Sequence, residues 1–211
     1  MTAQKDITKR PMRVGDYFLR NKRRVYVPTK VIAALHEAGH AVVAAHLRVP
    51  FSNVTIVPSG SLHGRRTDFL PVRTRFRAFK QLRNGGFVKN DVNGEFKIVW
   101  EKNLLATIAG VGAEGLCYHI DVPECFKEGT GKFDWQQARK IAEVTLDIPA
   151  RERDAYLYRL FDKVEQIVQI NYIRRAIWIV ADDLLERQTL TAQSVRSVYR
   201  DCRDISKQIR N

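Results

Sequence analysis

Cysteine is scarce in this sequence, and its spacing indicates no pairing. The three cysteines, Cys117, Cys125 and Cys202, form no C-x-x-C motif and leave one odd thiol. A disulfide framework is therefore not expected. Small, buried, reduced thiols account for all three residues, and such thiols are typical of proteins in a reducing compartment. We expect a cytoplasmic location.

Long apolar runs are also missing. No run approaches the roughly 20 residues of a membrane span, and the N-terminus lacks the apolar core of a signal peptide. We therefore expect no integral membrane segment. A composition of 45% hydrophobic and 28% charged residues indicates a globular chain with a sizeable core. Residues 1–24, polar and basic without periodicity, are predicted to form an N-terminal tail, followed by a single domain at residues 25–211.

Acidic residues are too few to balance the basic ones, and the net charge is +13. The basic residues cluster at residues 20–24 and 65–83. Such a charge attracts nucleic acid, anionic membrane surfaces or acidic protein segments. No zinc-finger spacing, RNP motif or G-x-x-G clamp indicates a nucleic-acid module. Two interpretations stay open: a solvated basic surface, or an anionic partner bound through the 65–83 region.

The most informative pattern present is H-E-x-x-H, at residues 36–40. Positions four apart share one face of a helix, so His36 and His40 can bind one metal ion. Glu37 can then act as general base toward a water on that ion. Apolar residues surround the motif and predict a buried helix over residues 29–48. The alternative is a pair of core histidines bonded to the backbone, but chance H-E-x-x-H in this composition is only about half a per cent.

A zinc site with two imidazoles needs a third protein ligand and keeps its fourth position for water. His46 has the spacing of the third metzincin histidine, but that pattern needs a glycine where this chain has Val43. We therefore reject His46. Asp134 opens a predicted helix whose apolar stripe faces the core, so its carboxylate is expected to point inward. Asp134 is our candidate for the third ligand; the alternative is an N-cap of its own helix.

The predicted second helix, residues 101–120, is rich in small residues that allow close packing. Glu114 is the lone charge in its apolar stretch. Three roles stay open for Glu114: a zinc ligand, a hydrogen-bond partner of a ligand histidine, or a carboxylate on the helix surface. We favour the hydrogen-bond partner.

The remaining segments predict a small sheet and a helical scaffold. The β-branched run at residues 53–58 predicts a strand, and strand-like pieces at residues 74–77 and 95–100 predict hairpins beside it. Three later apolar stripes predict packing helices after residue 150. The predicted fold class is mainly α (α+β), with a small β-sheet next to the H-E-x-x-H helix.

In several places the chain resembles the peptidase domain of the FtsH proteases, peptidase family M41. The matching elements occur in the family's order and cover most of residues 31–190. They are His36-Glu37-Ala38-Gly39-His40-Ala41, Val54-Thr55-Ile56-Val57-Pro58-Ser59-Gly60, Ala109-Gly110-Val111-Gly112-Ala113-Glu114, Thr130-Gly131 with Asp134 and Ala138, and Ala181-Asp182-Asp183-Leu184-Leu185-Glu186-Arg187-Gln188-Thr189-Leu190.

The resemblance implies a mostly helical zinc endopeptidase. It assigns the Zn²⁺ ligands to His36, His40 and Asp134, and the general base to Glu37. It also implies that the strand at Val54, Thr55, Ile56 and Val57 lines the substrate cleft, where a peptide can add as an extra strand.

This sequence departs from the family in three respects. The arginine of the element before Ala113-Glu114 is missing, and Ser59 stands where the family has a basic residue. The family's membrane anchor and AAA ATPase module do not occur in this sequence. We therefore expect an ATP-independent activity on peptides, on unfolded proteins or on proteins delivered by a partner. Two alternatives stay open: a catalytically inactive M41-like binding module with a basic surface, and a regulatory protease of the kind that cuts repressors.

Overall fold

The computed structural model describes residues 29–57, 66–68, 95–116 and 122–209. These parts contain seven helices and three strands, which confirms the mainly α fold with a small sheet. In chain order they are α1 (Thr29–Leu47), β1 (Asn53–Thr55), β2 (Arg66–Asp68), α2 (Glu95–Glu114), α3 (Val122–Lys127), α4 (Lys132–Val144), α5 (Ala150–Gln169), α6 (Asn171–Arg187), β3 (Thr189–Thr191) and α7 (Ala192–Gln208).

Helix α1 is the central element of the core. Every residue from Ala33 to Ala45 is buried, because α2, α6 and α7 all pack against this helix. The helix ends at Leu47, and Arg48 follows with a left-handed φ of 60°, which breaks the helical path. The predicted range of residues 29–48 is therefore confirmed to within one residue.

A glycine allows α1 and α2 to approach closely. A Cβ atom on Gly39 would lie 2.5 Å from the Cβ of Ala113 and 2.8 Å from the carbonyl oxygen of Ala109. Neither atom can rotate away, because one is a methyl group on a helix and the other is backbone. Only glycine fits at this crossing without moving a helix.

The sheet lies beside α1, as predicted, but its topology differs from the expectation. Strands β1 and β2 both contact α1, and the strand order is β2-β1-β3 with antiparallel pairing throughout. Val54 lies opposite Thr67 on one side and opposite Leu190 on the other. Both edges of β1 are paired over Asn53–Thr55, and the expectation that Val54–Val57 lines a substrate cleft stays a prediction.

The second helix begins earlier than predicted. Residues 95–100, expected to form a strand, are the first turns of α2, which ends at Glu114. Trp100 and Leu104, one turn apart, are both buried, whereas residues 97–99 are exposed. A six-residue β-branched and aromatic run does not distinguish a strand period from a helix period, and the burial of two residues four apart agrees with the helix period.

The scaffold helices bury most of the predicted stripes. Leu157, Leu160, Phe161 and Val164 of α5 are buried, as are Ile173, Ala176, Ile177, Val180 and Leu184 of α6. On α7, Val195, Tyr199 and Cys202 are buried, whereas Ile205, at the end of the same apolar stripe, is 40% exposed. None of the described helices has the length and apolar character that crossing a membrane requires.

Strand β3 was not predicted, because three residues between two helices leave no periodic pattern. It pairs with β1, and Thr191 then caps α7 by accepting a hydrogen bond from the backbone N–H of Ser194. The predicted tail, the strand-like piece 74–77 and Cys117 lie outside the described residues. So does the basic 65–83 region, apart from the backbone of residues 66–68.

The crossing of α1 and α2 can be tested with Gly39→Ala. The added methyl group meets Ala113 and the backbone of α2, so we expect the free energy of unfolding to fall by about 1–3 kcal/mol despite the higher helix propensity of alanine. Urea denaturation of the purified protein measures the change.

A double-mutant cycle with Ala113→Gly provides the control. Removing the Cβ of Ala113 opens room for the new methyl group, so the double variant should be more stable than the sum of the single effects predicts. Additive effects would show that the two positions are not in contact.

Candidate metal centre

Two imidazoles on α1 are fixed by groups on α2. The Nδ1–H of His36 donates to Oε1 of Glu114 at 2.7 Å, and the Nδ1–H of His40 donates to the carbonyl oxygen of Ala106 at 2.8 Å. A backbone carbonyl can only accept, and so can an ionised carboxylate. In each neutral ring the proton therefore lies on Nδ1, and Nε2 carries a lone pair.

Asp134 brings a third acceptor to these two nitrogen atoms. Its Oδ2 lies 2.9 Å from Nε2 of His36 and 3.2 Å from Nε2 of His40, and the two Nε2 atoms are 3.0 Å apart. Asp134 sits in the first turn of α4, whose N-cap is Gly131 without a side-chain cap. The alternative interpretation of Asp134 as an N-cap is therefore wrong.

The donor set suits a zinc ion, and its spacing is a few tenths of an ångström smaller than a bound zinc requires. A tetrahedral zinc with ligand distances of about 2.0–2.2 Å places neighbouring ligand atoms roughly 3.3–3.6 Å apart. The observed triangle has edges of 2.9, 3.0 and 3.2 Å. Three lone pairs at this separation repel one another unless a cation or a shared proton lies among them. His36, His40 and Asp134 could therefore hold a metal ion.

Charge and burial also favour a cation at this point. His36, His40 and Glu114 are nearly inaccessible, and the side chain of Asp134 is 17% exposed. Burial alone lowers the pKa of His36, but hydrogen bonds and charge from Asp134 and Glu114 outweigh it and raise that pKa well above its usual value. Burial alone raises the pKa of Asp134, yet the two histidines hold it well below its usual range. The paired carboxylates thus favour positive charge on the cluster.

Close backbone packing holds the ligand-bearing elements together. A Cβ on Gly110 would lie 2.5–2.6 Å from three atoms of the His36 ring, so α2 passes directly over that imidazole. A Cβ on Gly131 would lie 2.4 Å from Cγ2 of Val111, which presses the start of α4 against α2. The sequence predicted close packing of α2 from its small residues, but it assigned no packing role to Gly110 or Gly131 and did not identify the carbonyl of Ala106.

The structure brings the predicted site residues together to different extents. His36, His40 and Asp134 meet, and Glu114 lies behind His36, so its role as a surface carboxylate is wrong. Glu37 lies on α1 between His36 and His40, and it is 3% exposed. The catalytic and ligand roles of these residues stay predictions.

The rejected histidine lies elsewhere. Nδ1 of His46 is 3.0 Å from the hydroxyl of Tyr199, near the far end of α1, and takes no part in the cluster. The alternative of core histidines bonded to the backbone agrees with the structure at one atom only. Nδ1 of His40 bonds a backbone carbonyl, but Nε2 of His40 faces His36 and Asp134.

Comparison with known proteins gives a distant similarity. The chain is 25% identical over 187 residues to the ATP-dependent zinc metalloprotease FtsH 2 of Symbiobacterium thermophilum. The alignment covers 85% of this chain and 32% of that protein, so the chain spans about a third of the length of this relative. No protein-family model matches the chain. The similarity suggests a distant relationship to FtsH-type proteins.

The contact between Glu114 and His36 predicts a metal-binding defect in Glu114→Ala. Without its acceptor, His36 loses both its fixed orientation and the charge that makes Nε2 a good ligand. We expect zinc affinity to fall about 10–100-fold, as is typical when a partner behind a ligand histidine is removed. Titration against a competing chelator measures the affinity.

Glu165→Ala is the matched control, because Glu165 is an exposed glutamate on α5. Its zinc affinity should equal that of the wild type. Equal affinities in all three proteins would show that Glu114 does not support the metal centre.

Proposed function

We propose that this chain is a zinc-dependent endopeptidase in which His36, His40 and Asp134 hold the metal and Glu37 is the general base. The observation that carries the proposal is the triangle of acceptor atoms: two imidazole Nε2 atoms and one carboxylate oxygen within 3.2 Å of one another. Its position on an H-E-x-x-H helix and the distant similarity to a zinc metalloprotease support it.

Each residue has a definite task in this proposal. Zinc, when bound, would polarise a scissile carbonyl and lower the pKa of a bound water to about 7. Glu114 and the carbonyl of Ala106 keep both Nδ1 atoms protonated, so that each Nε2 stays available as a ligand. Glu37 takes a proton from the attacking water and returns it to the leaving amine.

The small sheet beside α1 carries the peptide-binding strand of the proposal. Both edges of β1 are paired, and no described strand lies on the outer edge of β2. Strands β1 and β2 both contact α1, the helix that carries the two histidines, which supports a substrate cleft beside this sheet. In this proposal Val54–Val57 lines that cleft.

The proposed substrate is a peptide or an unfolded protein segment, cleaved without ATP. The 25% identical relative is named an ATP-dependent protease, and the aligned part covers 32% of it. Hydrolysis of an extended peptide needs only the metal, the base and a docking edge, all of which can be assigned to this chain. ATP-driven unfolding is not part of the proposal.

Metal analysis and peptide cleavage, measured together on three proteins, test the proposal. Wild type should bind about one zinc per chain and cleave an unstructured reporter peptide. Glu37→Gln should keep the zinc and lose at least about 100-fold in cleavage rate, because it cannot accept a proton. Asp134→Ala should bind zinc far more weakly, because one of three protein ligands is gone.

Each contrary result removes a different part of the proposal. Absence of zinc from the wild-type protein would refute the metal site, and unchanged zinc affinity in Asp134→Ala would refute Asp134 as the third ligand. Equal cleavage by wild type and Glu37→Gln would refute Glu37 as the general base. Zinc binding without any cleavage would instead favour the non-catalytic binding module, for which the net charge of +13 predicts salt-sensitive binding of anionic polymers.

A further inference from the structure

A cleft of about 420 Å³ lies between α2 and α5. Lys97 and Glu101 of α2 line one wall, and side chains of α5 between Glu152 and Lys163 line the other. The histidines and carboxylates of the candidate metal centre do not line this cleft. Sites for small molecules typically have volumes of roughly 300–1,000 Å³, so the cleft is large enough for one small ligand.

The most buried residues of the cleft offer it an apolar surface. Leu160 is 2% exposed and Tyr156 is 9% exposed, and the half-buried Ile148 lies beside them. The hydroxyl of Tyr156 donates to Oε1 of Glu101 at 2.8 Å. Burial and the charge of Glu101 raise the pKa of Tyr156 well above its usual value, so the phenol stays protonated. The carboxylate of Glu101 is therefore occupied by a donor from α5.

Positive charge is in excess around this apolar surface. Arg159 and Lys163 both line the cleft and lie four residues apart on α5, a spacing at which like charges repel. Neither cation forms an ion pair with a carboxylate in the part of the chain that the structure describes. The guanidinium carbon of Arg159 lies 5.9 Å from the ring centroid of Tyr156. The second carboxylate of the cleft, that of Glu152, lies 3.2 Å from Nε of Arg151.

We propose that the cleft between α2 and α5 binds a small organic phosphate monoester. Such a group carries a charge of about −1.5 to −2 at pH 7, which matches the two cations of α5 that have no carboxylate partner. Its acceptor oxygens suit the guanidinium of Arg159 and the ammonium group of Lys163. The organic part then covers Tyr156 and Leu160, which keeps apolar surface out of water. This binding site is independent of the proposed peptidase function.

Calorimetric titration of the wild-type protein with phenyl phosphate is the first test. We expect phenyl phosphate to bind about tenfold more tightly than inorganic phosphate, because only the former covers the apolar surface. Lys163→Gln should weaken the binding of phenyl phosphate about three- to fivefold, the range of an exposed charge pair. Lys207→Gln removes an exposed lysine of α7, which does not line the cleft, and should leave the affinity unchanged.

A variant that strengthens binding excludes misfolding as the cause. Glu101→Gln removes a negative charge from the cleft, while its amide oxygen still accepts from the hydroxyl of Tyr156. We expect phenyl phosphate to bind about three- to fivefold more tightly to this variant, because the repulsion between two anions is lost. Glu165→Gln, at an exposed position of α5 that does not line the cleft, is the matched control and should bind like the wild type.

The contrary outcomes are distinct. A wild-type protein that does not bind phenyl phosphate overturns the proposal. Binding that is equal in wild type, Lys163→Gln and Glu101→Gln places the phosphate elsewhere, for example on the metal, and overturns it as well. Equal affinities for phenyl phosphate and inorganic phosphate show that charge alone holds the ion, and they refute an organic ligand. None of these results bears on peptide cleavage.

Discussion

The close approach of α1 and α2 is the constraint on which the candidate centre depends. Gly39 and Gly110 leave no room for a side chain at this contact, and the distance they permit lets α2 fix both Nδ1 atoms of the histidines. Because Nδ1 carries the proton in both rings, each Nε2 has a free lone pair. Oδ2 of Asp134 lies within 3.2 Å of both Nε2 atoms. The orientation of the imidazoles is thus set by helix packing, which is stiffer than a loop would be.

The same packing accounts for the charges that the core contains. Buried histidines and carboxylates are costly unless each has a partner. Here Glu114 pairs with His36, and Asp134 contacts both His36 and His40, so the charges lie close enough to stabilise one another. A bound dication would replace the proton that His36 holds in its absence, with the carboxylates unchanged. Burial and metal binding therefore favour the same arrangement of residues.

Sequence patterns predicted those parts of the molecule that depend on local periodicity. The range of α1, the inward position of Asp134 and the stripes of α5 and α6 follow from 3.6-residue spacing and agree with the structure. Features that depend on long-range packing were missed or wrong. Residues 95–100 are helical, with Trp100 and Leu104 buried one turn apart, and β1 is the central strand because β3 pairs with it from the far end of the chain. The carbonyl of Ala106 could not be predicted, since every residue carries one.

X-ray absorption at the zinc edge of the zinc-loaded wild-type protein tests the central claim most directly, because it reports the atoms bound to the metal. The proposed centre predicts a first shell of about four nitrogen and oxygen atoms at roughly 2.0–2.2 Å, with the outer-shell scattering of two imidazoles and no sulfur. A sulfur atom at about 2.3 Å would place a cysteine on the metal and contradict the assignment. A shell without imidazole scattering would contradict it equally.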